Sequence, residues 1–173
     1  MPADDLRARI REIPDFPKPG ILFYDITTLL KDAAAFQEAV KLMTDPFRDT
    51  RVDLVVGMES RGFIFAAPMA IELRAGFVPV RKLGKLPAET LSVEYALEYG
   101  TNTLEIHKDA LRPGQRVLIV DDLLATRGTV LGTIELVKML KADVVGLAFL
   151  VELLFLKGRE RLGDYTTHSV IRY

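Results

Sequence analysis

Four consecutive aliphatic residues, Val117-Leu118-Ile119-Val120, run straight into two acids, Asp121 and Asp122, and then into Leu123-Leu124-Ala125-Thr126-Arg127-Gly128-Thr129. An unbroken apolar strand has no solvent-facing side, so both of its faces must be covered. Val130, Ile134 and Val137 follow at i, i+4 and i+7, the apolar stripe of a helix. The pattern recurs along the chain. Residues 52–57 read as a strand entering a turn, with a helix near Gly62 that ends before Gly76. Residues 77–80 form a short strand, 144–151 a second buried one, and 169–171 a last edge strand. Strands alternating with helices predict an α/β fold with a central parallel β-sheet, right-handed crossovers and helices on its flanks.

The remaining segments are expected to decorate this frame. Asp4 or Asp5 can cap a short helix through Ile10. Pro14, Pro17 and Pro19 forbid a helix and predict a stiff, extended loop into Gly20. Asp32 is placed to cap a helix carrying Phe36, Val40 and Met43, which Pro46 terminates. Residues 81–100 are polar, lack a clear period and contain Gly84 and Pro87, so they read as a long functional loop. With no internal repeat or linker, residues 1–173 are expected to form a single domain.

Several function classes are disfavoured at once. A formal charge of −1 leaves no broad basic footprint for nucleic acid, so an anionic substrate must be met by a local cluster of cations. The absence of Cys removes disulfides, thiolate metal sites and thiol nucleophiles. The acidic start with Arg7 and Arg9 is no signal peptide. The most apolar stretch, 144–156, is interrupted by Glu152 and falls short of the ~20 residues a membrane helix needs. A soluble, cytoplasmic protein is the expectation. Gly57 and Gly62 mimic the first half of a P-loop, but Phe63 stands where that motif requires Lys.

Asp121 and Asp122 sit where an open parallel sheet binds its ligands, beyond the carboxyl end of a buried strand. Hydroxyls and the backbone N–H groups of a helix N-terminus follow at once, which is a phosphate site. Acids beside a phosphate nest make sense if they face ribose hydroxyls or a metal ion, and a sugar phosphate satisfies both halves. The plain alternative, acids solvating a strand end and a Thr capping a helix, would suffice for an isolated pair. The whole run is more specific: residues 117–129 resemble the phosphoribosyl pyrophosphate (PRPP) signature of type I phosphoribosyltransferases. Its Asp-Asp-Leu-Leu-Ala-Thr core is similar to that of the adenine-specific members. Further matches follow in the family's order. Residues 16–25 resemble its N-terminal hood over the base, drawn largely from 1–30, and 57–63 its pyrophosphate loop. Residues 81–100 resemble its flexible catalytic loop, and Glu152 with 156–162 its C-terminal segment.

The resemblance implies transfer of a phosphoribosyl group from PRPP to a purine, most specifically adenine, giving AMP and pyrophosphate. It assigns the 5′-phosphate to Ala125, Thr126, Arg127, Gly128 and Thr129, and the ribose hydroxyls to Asp121 and Asp122. Mg²⁺ would be held mainly through PRPP and water rather than by direct protein ligands. Pyrophosphate falls to Glu59, Ser60, Arg61, Arg81, Lys82 and Lys85, proton transfer to Glu98 and loop closure to Tyr99. Leu22 and Phe23 would bind the base, Phe23 by stacking. Glu94 and Glu105 rival Glu98 on the residues alone, each of the three loop cations reads individually as a surface cation, and Leu22 and Phe23 equally as core. His107 and His168 are assigned to structure. The family is dimeric, so a homodimer is implied, to which Leu153-Leu154-Phe155-Leu156 could contribute.

Two positions depart from the family pattern. Arg127 replaces the first Gly of Ala-Thr-Gly-Gly-Thr. A backbone there with φ > 0 would cost Arg roughly 1 kcal/mol, whereas its guanidinium could also bind phosphate bidentately. The expectation taken forward is weakened PRPP binding with the fold retained. Tyr24 stands where the family often has Lys or Arg. The competing readings are a 6-oxopurine phosphoribosyltransferase and a PRPP- or nucleotide-binding protein with weak or no turnover because of Arg127.

Overall fold

The computed structural model describes residues 3–96, 100–125 and 128–173. Its frame is a seven-stranded sheet built from β3 (Leu54–Met58), β4 (Gly76–Lys82), β5 (Thr90–Ala96), β6 (Thr101–His107), β7 (Arg116–Leu124), β8 (Asp143–Glu152) and β9 (Thr167–Arg172). The strand order is β5-β6-β4-β3-β7-β8-β9. The five strands from β4 to β9 in that order pair in parallel. The covered strand read from the sequence is the middle of this stack. Val117, Leu118, Ile119 and Val120 are all fully buried.

Alternation along β7 divides the core in two. Leu118 and Val120 face α3 (Ala33–Thr44) and α4 (Gly62–Glu72), beside Ala35, Met43, Phe65 and Met69. Val117 and Ile119 face α5 (Gly128–Met139), where Val130, Ile134 and Val137 are buried. Asp32 caps α3 as expected, its carboxylate accepting from the N–H of Ala35 at 3.0 Å. The first helix, α1 (Ala3–Arg7), is shorter than predicted, and Ile10 is buried beyond its end.

Two segments correct the sequence reading. Residues 81–100 are not one long loop: β4 continues through Lys82, and β5 pairs antiparallel with β6 over Thr90↔His107 to Ala96↔Thr101. β6 also pairs antiparallel with β4, so the sheet is mixed. The hairpin carries only one covered face, on which Leu91, Val93 and Tyr95 alternate with exposed Ser92, Glu94 and Ala96. Such a half-solvated strand shows period two instead of an apolar run.

The proline-rich loop is present over residues 15–21 as expected, but strands that the sequence reading did not place flank it. β1 (Arg11–Pro14) and β2 (Leu22–Asp25) form an antiparallel ribbon outside the main sheet, followed by α2 (Thr27–Leu30). Asp25 anchors its end by accepting from the Thr27 hydroxyl at 2.6 Å, the Thr27 N–H at 2.9 Å and the Arg11 guanidinium at 2.5 Å. Those bonds, Thr27 first, hold its carboxyl down at about 2. Tyr24 stacks on Tyr173 with ring centroids 4.0 Å apart, and Arg7 lies over the Tyr173 ring. The departing residue of the ribbon is thus used to fasten the ribbon to the end of the β9 segment. Among the described residues, no helix is long and apolar enough to cross a membrane.

Candidate functional site

A cavity of about 370 Å³ opens at the carboxyl ends of β3 and β7, in the size range of small-molecule sites. Three stretches distant in sequence meet there: Glu59-Ser60-Arg61 after β3, Asp121 to Ala125 at the end of β7, and Thr129 in the first turn of α5. Lys82 reaches it from the end of β4.

The acid pair is electrostatically poised. Asp122 is buried, and Asp121 accepts the N–H of Asp122 on its Oδ1 at 2.9 Å. Burial pushes the Asp121 carboxyl well above the ordinary carboxylate range, and the neighbouring charge of Asp122 pushes it the same way. Burial also raises Asp122, opposed chiefly by Arg61, whose Nε lies 2.9 Å from its Oδ2. Two carboxylates with one guanidinium close by among the described residues make a pocket that favours a cation or hydroxyl donors. Gly62 makes this proximity possible. A Cβ there would stand 2.9 Å from Asp121 Oδ1 and 3.0 Å from the carbonyl oxygen of Val120.

Arg61 also bridges to the ribbon: its guanidinium carbon sits 5.7 Å from the centre of the Phe23 ring. Phe23 in turn meets Phe16 edge-on at 5.1 Å. The structure therefore brings Phe23 to the rim of the site through Arg61, while Leu22 is 41% exposed on the ribbon and absent from the cavity wall.

Glu59 faces the cations of β4. It accepts from the Lys82 N–H at 2.9 Å and from Arg81 Nε and Nη2, both at 3.3 Å. These contacts, the Lys82 N–H foremost, lower its pKa. Glu59 therefore fixes the end of β4 and the direction of Arg81. Lys85 lies outside the cavity wall, its N–H bonded to the Lys82 carbonyl at 3.3 Å and its carbonyl accepting from Arg81. Glu105, one rival for proton transfer, is occupied elsewhere: it accepts from the Gly84 N–H at 3.0 Å and the Thr90 hydroxyl at 3.1 Å, closing the turn after β4. Glu94 is exposed on β5 and away from the cavity. His107 and His168 bind backbone groups of Ala88 and Leu42.

Glu98, Tyr99, Thr126 and Arg127 lie outside the described residues. Gly128 begins α5, immediately before Thr129. Sequence reasoning missed Tyr95, Asn102 and Phe149, which also line the cavity. Tyr95 was hidden inside the stretch read as a loop, where the period of two from Leu91 to Tyr95 was the available signal; Asn102, just beyond it on β6, carried none.

Comparison with known proteins points the same way as this geometry. The model of the phosphoribosyl transferase domain matches residues 25–171. An adenine phosphoribosyltransferase of Koribacter versatilis is 56% identical over 170 residues, covering 98% of this chain and 93% of that protein. The crystal structure of the adenine phosphoribosyltransferase of Thermoanaerobacter pseudethanolicus superposes with a TM-score of 0.96 at 54% identity, over 99% of both chains. That of Giardia lamblia, solved in complex with 9-deazaadenine, superposes at 0.94 with 40% identity over 100% of this chain and 98% of that one. A domain match across most of the chain, with relatives above half identity over nearly all of it, is decisive: this chain belongs to the phosphoribosyltransferase family, among the adenine phosphoribosyltransferases.

Proposed function

We propose that this chain transfers the 5-phosphoribosyl group from PRPP to adenine, releasing pyrophosphate and AMP. The observation that carries the reading is the meeting, in one cavity, of a buried acid pair, an arginine and the N-terminal turn of α5. The ligand named for the Giardia lamblia relative, 9-deazaadenine, supports adenine as the base.

In this reading the 5′-phosphate sits on the N–H groups at the start of α5, with Ala125, Gly128, Thr129 and the sequence-assigned Thr126 around it. Asp121 and Asp122 accept from the ribose hydroxyls, and their charge opposes the positive charge that grows on the sugar as its bond to pyrophosphate loosens. Ser60, Arg61 and Lys82 meet pyrophosphate, with Arg81 held in place by Glu59. Phe23 stacks on the base from the ribbon, which acts as the hood. Glu98 exchanges the purine proton, a step typically worth ~10²–10⁴ in rate, and Tyr99 closes the loop.

The donor set also fits Mg²⁺. Among the described residues no three acids or histidines cluster as a cage, while Asp121 and Asp122 offer carboxylates to an ion carried in on substrate oxygens and water. Bound there, Mg²⁺ would neutralise charge on the departing pyrophosphate. A homodimer accords with the exposed apolar turn Leu154 (52%), Phe155 (68%) and Leu156 (38%), and the cytoplasm is the expected compartment.

AMP formation from adenine, PRPP and Mg²⁺, with hypoxanthine and guanine in parallel, tests the proposal. Turnover with adenine alone upholds it, preference for a 6-oxopurine moves it to the sister activity, and binding without turnover leaves a PRPP sensor. Arg127→Gly is expected to lower the KM for PRPP several-fold, in keeping with roughly 1 kcal/mol of backbone cost at that position. An unchanged KM removes the penalty assigned to Arg127.

A further inference from the structure

Among the described residues of the β5–β6 hairpin, Tyr95 is the one aromatic side chain at the cavity wall, opposite Asn102 in the strand register. Its ring lies across the first turns of α5, where two glycines stand four residues apart on one face. A Cβ at Gly128 would meet Tyr95 Cδ2 at 2.7 Å and the Ala96 carbonyl oxygen at 3.3 Å. A Cβ at Gly132 would meet Leu104 at 3.4 Å, Tyr95 at 3.7 Å and Val93 at 3.9 Å. The hairpin therefore seats directly on helix backbone, and the tightest point of that seat is Tyr95 on Gly128.

The location matters more than the contact. Gly128 opens the helix whose N-terminus is the proposed phosphate site, and Tyr95 lies three residues before Glu98 in the chain. We propose that Tyr95 is a positioning residue: its ring locks the turn end of the β5–β6 hairpin onto the first turn of α5, so that phosphate binding and the proton-transferring loop are set in register. This rests on the roles proposed above for α5 and Glu98. Shifting a reacting group by about 1 Å is enough to cost on the order of 100-fold in rate, which is the scale on which such a lock acts.

The test is a double-variant cycle on Tyr95→Ala and Gly128→Ala, with Tyr95→Phe as the conservative control and thermal melts to certify folding. Tyr95→Ala is expected to lower kcat at least roughly tenfold and raise the KM for PRPP, while Tyr95→Phe restores most of both. Gly128→Ala, which forces the ring off its seat, reproduces at least that loss, and the double variant is no worse than the more impaired of the two single variants, because both changes break the one Tyr95–Gly128 contact. Losses that multiply overturn the proposal, as do wild-type constants in Tyr95→Ala. Tyr95→Phe as impaired as Tyr95→Ala also overturns it, by moving the role to the hydroxyl. If Tyr95→Ala does not fold, Tyr95→Leu takes its place in the cycle. Turnover by the wild type tests the underlying reading separately; should it be absent, the same cycle is read as the Kd for PRPP with Mg²⁺ by calorimetry.

Discussion

Neighbouring strands β7 and β8 both end in buried acids, yet the two ends are opposite in character. At the end of β7, burial raises both Asp121 and Asp122, and among the described residues one guanidinium, Arg61, faces the pair. At the end of β8, in register with Leu124, Glu152 is 2% exposed and held by both branches of Arg159, at 2.9 and 2.6 Å. Arg172 stands 3.6 Å away, and Arg159 also bonds Ser169 Oγ at 3.1 Å and the Thr167 carbonyl at 2.7 Å. Those hydrogen bonds, Arg159 first, keep the Glu152 carboxyl below its usual range despite burial. One acid cluster is matched by cations from within the chain and serves the fold. The other has fewer cations among the described residues, which is the character that the proposed site for a cationic sugar and a metal ion calls for.

The contrast breaks most sharply at Asp121. Asp121→Asn keeps an acceptor for the Asp122 N–H but removes a charge that burial disfavours, so AMP formation is expected to fall roughly 100-fold, as when an electrostatic partner of a transition state is lost. The same variant should melt no lower than the wild type at neutral pH. The sign follows from its raised pKa: the cost of the ionised form is absent below the unfolded value and grows as pH rises through the folded one. A melting temperature that drops by several degrees together with the rate would make Asp121 a structural acid like Glu152.

Arg159→Ala is the mirror experiment. It leaves a buried carboxylate with the Ser169 hydroxyl and the more distant Arg172, at a cost of about 3 kcal/mol in denaturant unfolding. The folded fraction should keep its KM for adenine, and a selective rise in that constant would tie Glu152 to the site. Because the folded pKa of Glu152 is depressed, its contribution is present above the unfolded value and lost as pH falls through the folded one.

Arg61→Ala sharpens the comparison through pH. Arg61 opposes the rise in the Asp122 pKa, so without it the acidic limb of kcat/KM should move to higher pH, in addition to any loss of pyrophosphate contact. A limb that stays in place would detach Asp122 from the rate. The smallest effect is expected at Asp25, whose carboxylate binds Arg11 and Thr27 rather than either acid cluster. Its carboxyl is held at about 2, below the ordinary 3.8 of an aspartate, so it stabilises above the unfolded value and the gain is lost as pH falls toward 2. Asp25→Asn should flatten the melting temperature over that acidic window and leave turnover unchanged.

The two acid clusters were unequally legible. Asp121 and Asp122 stand at the end of an unbroken aliphatic run before a helix, a local pattern that already says ligand. Glu152 interrupts a similar run, but its meaning depends on Arg159, which returns to it only through the 3₁₀ turn Gly158–Arg161. The parallel centre of the sheet was legible because each strand there is covered on both faces and so is apolar throughout. The antiparallel wing was not, because β5 has one solvated face and Gly84 and Pro87 made the segment read as a loop. Ser60 and Arg61 could be placed from their motif, but the distance of Arg61 from both Asp122 and Phe23 could not.

Local chemistry thus determined what each short stretch of this chain must be: a buried strand, a helix with an apolar stripe, a capped start at Asp32. Such rules act over a few residues, where period and backbone chemistry suffice. Tertiary structure alone decided which acids share a cation, that Glu105 braces a turn, and that Tyr95 seats on Gly128. Those outcomes depend on charges and surfaces brought together from residues 59 to 159, and electrostatics and packing respond to distance in space, which separation along the chain does not encode.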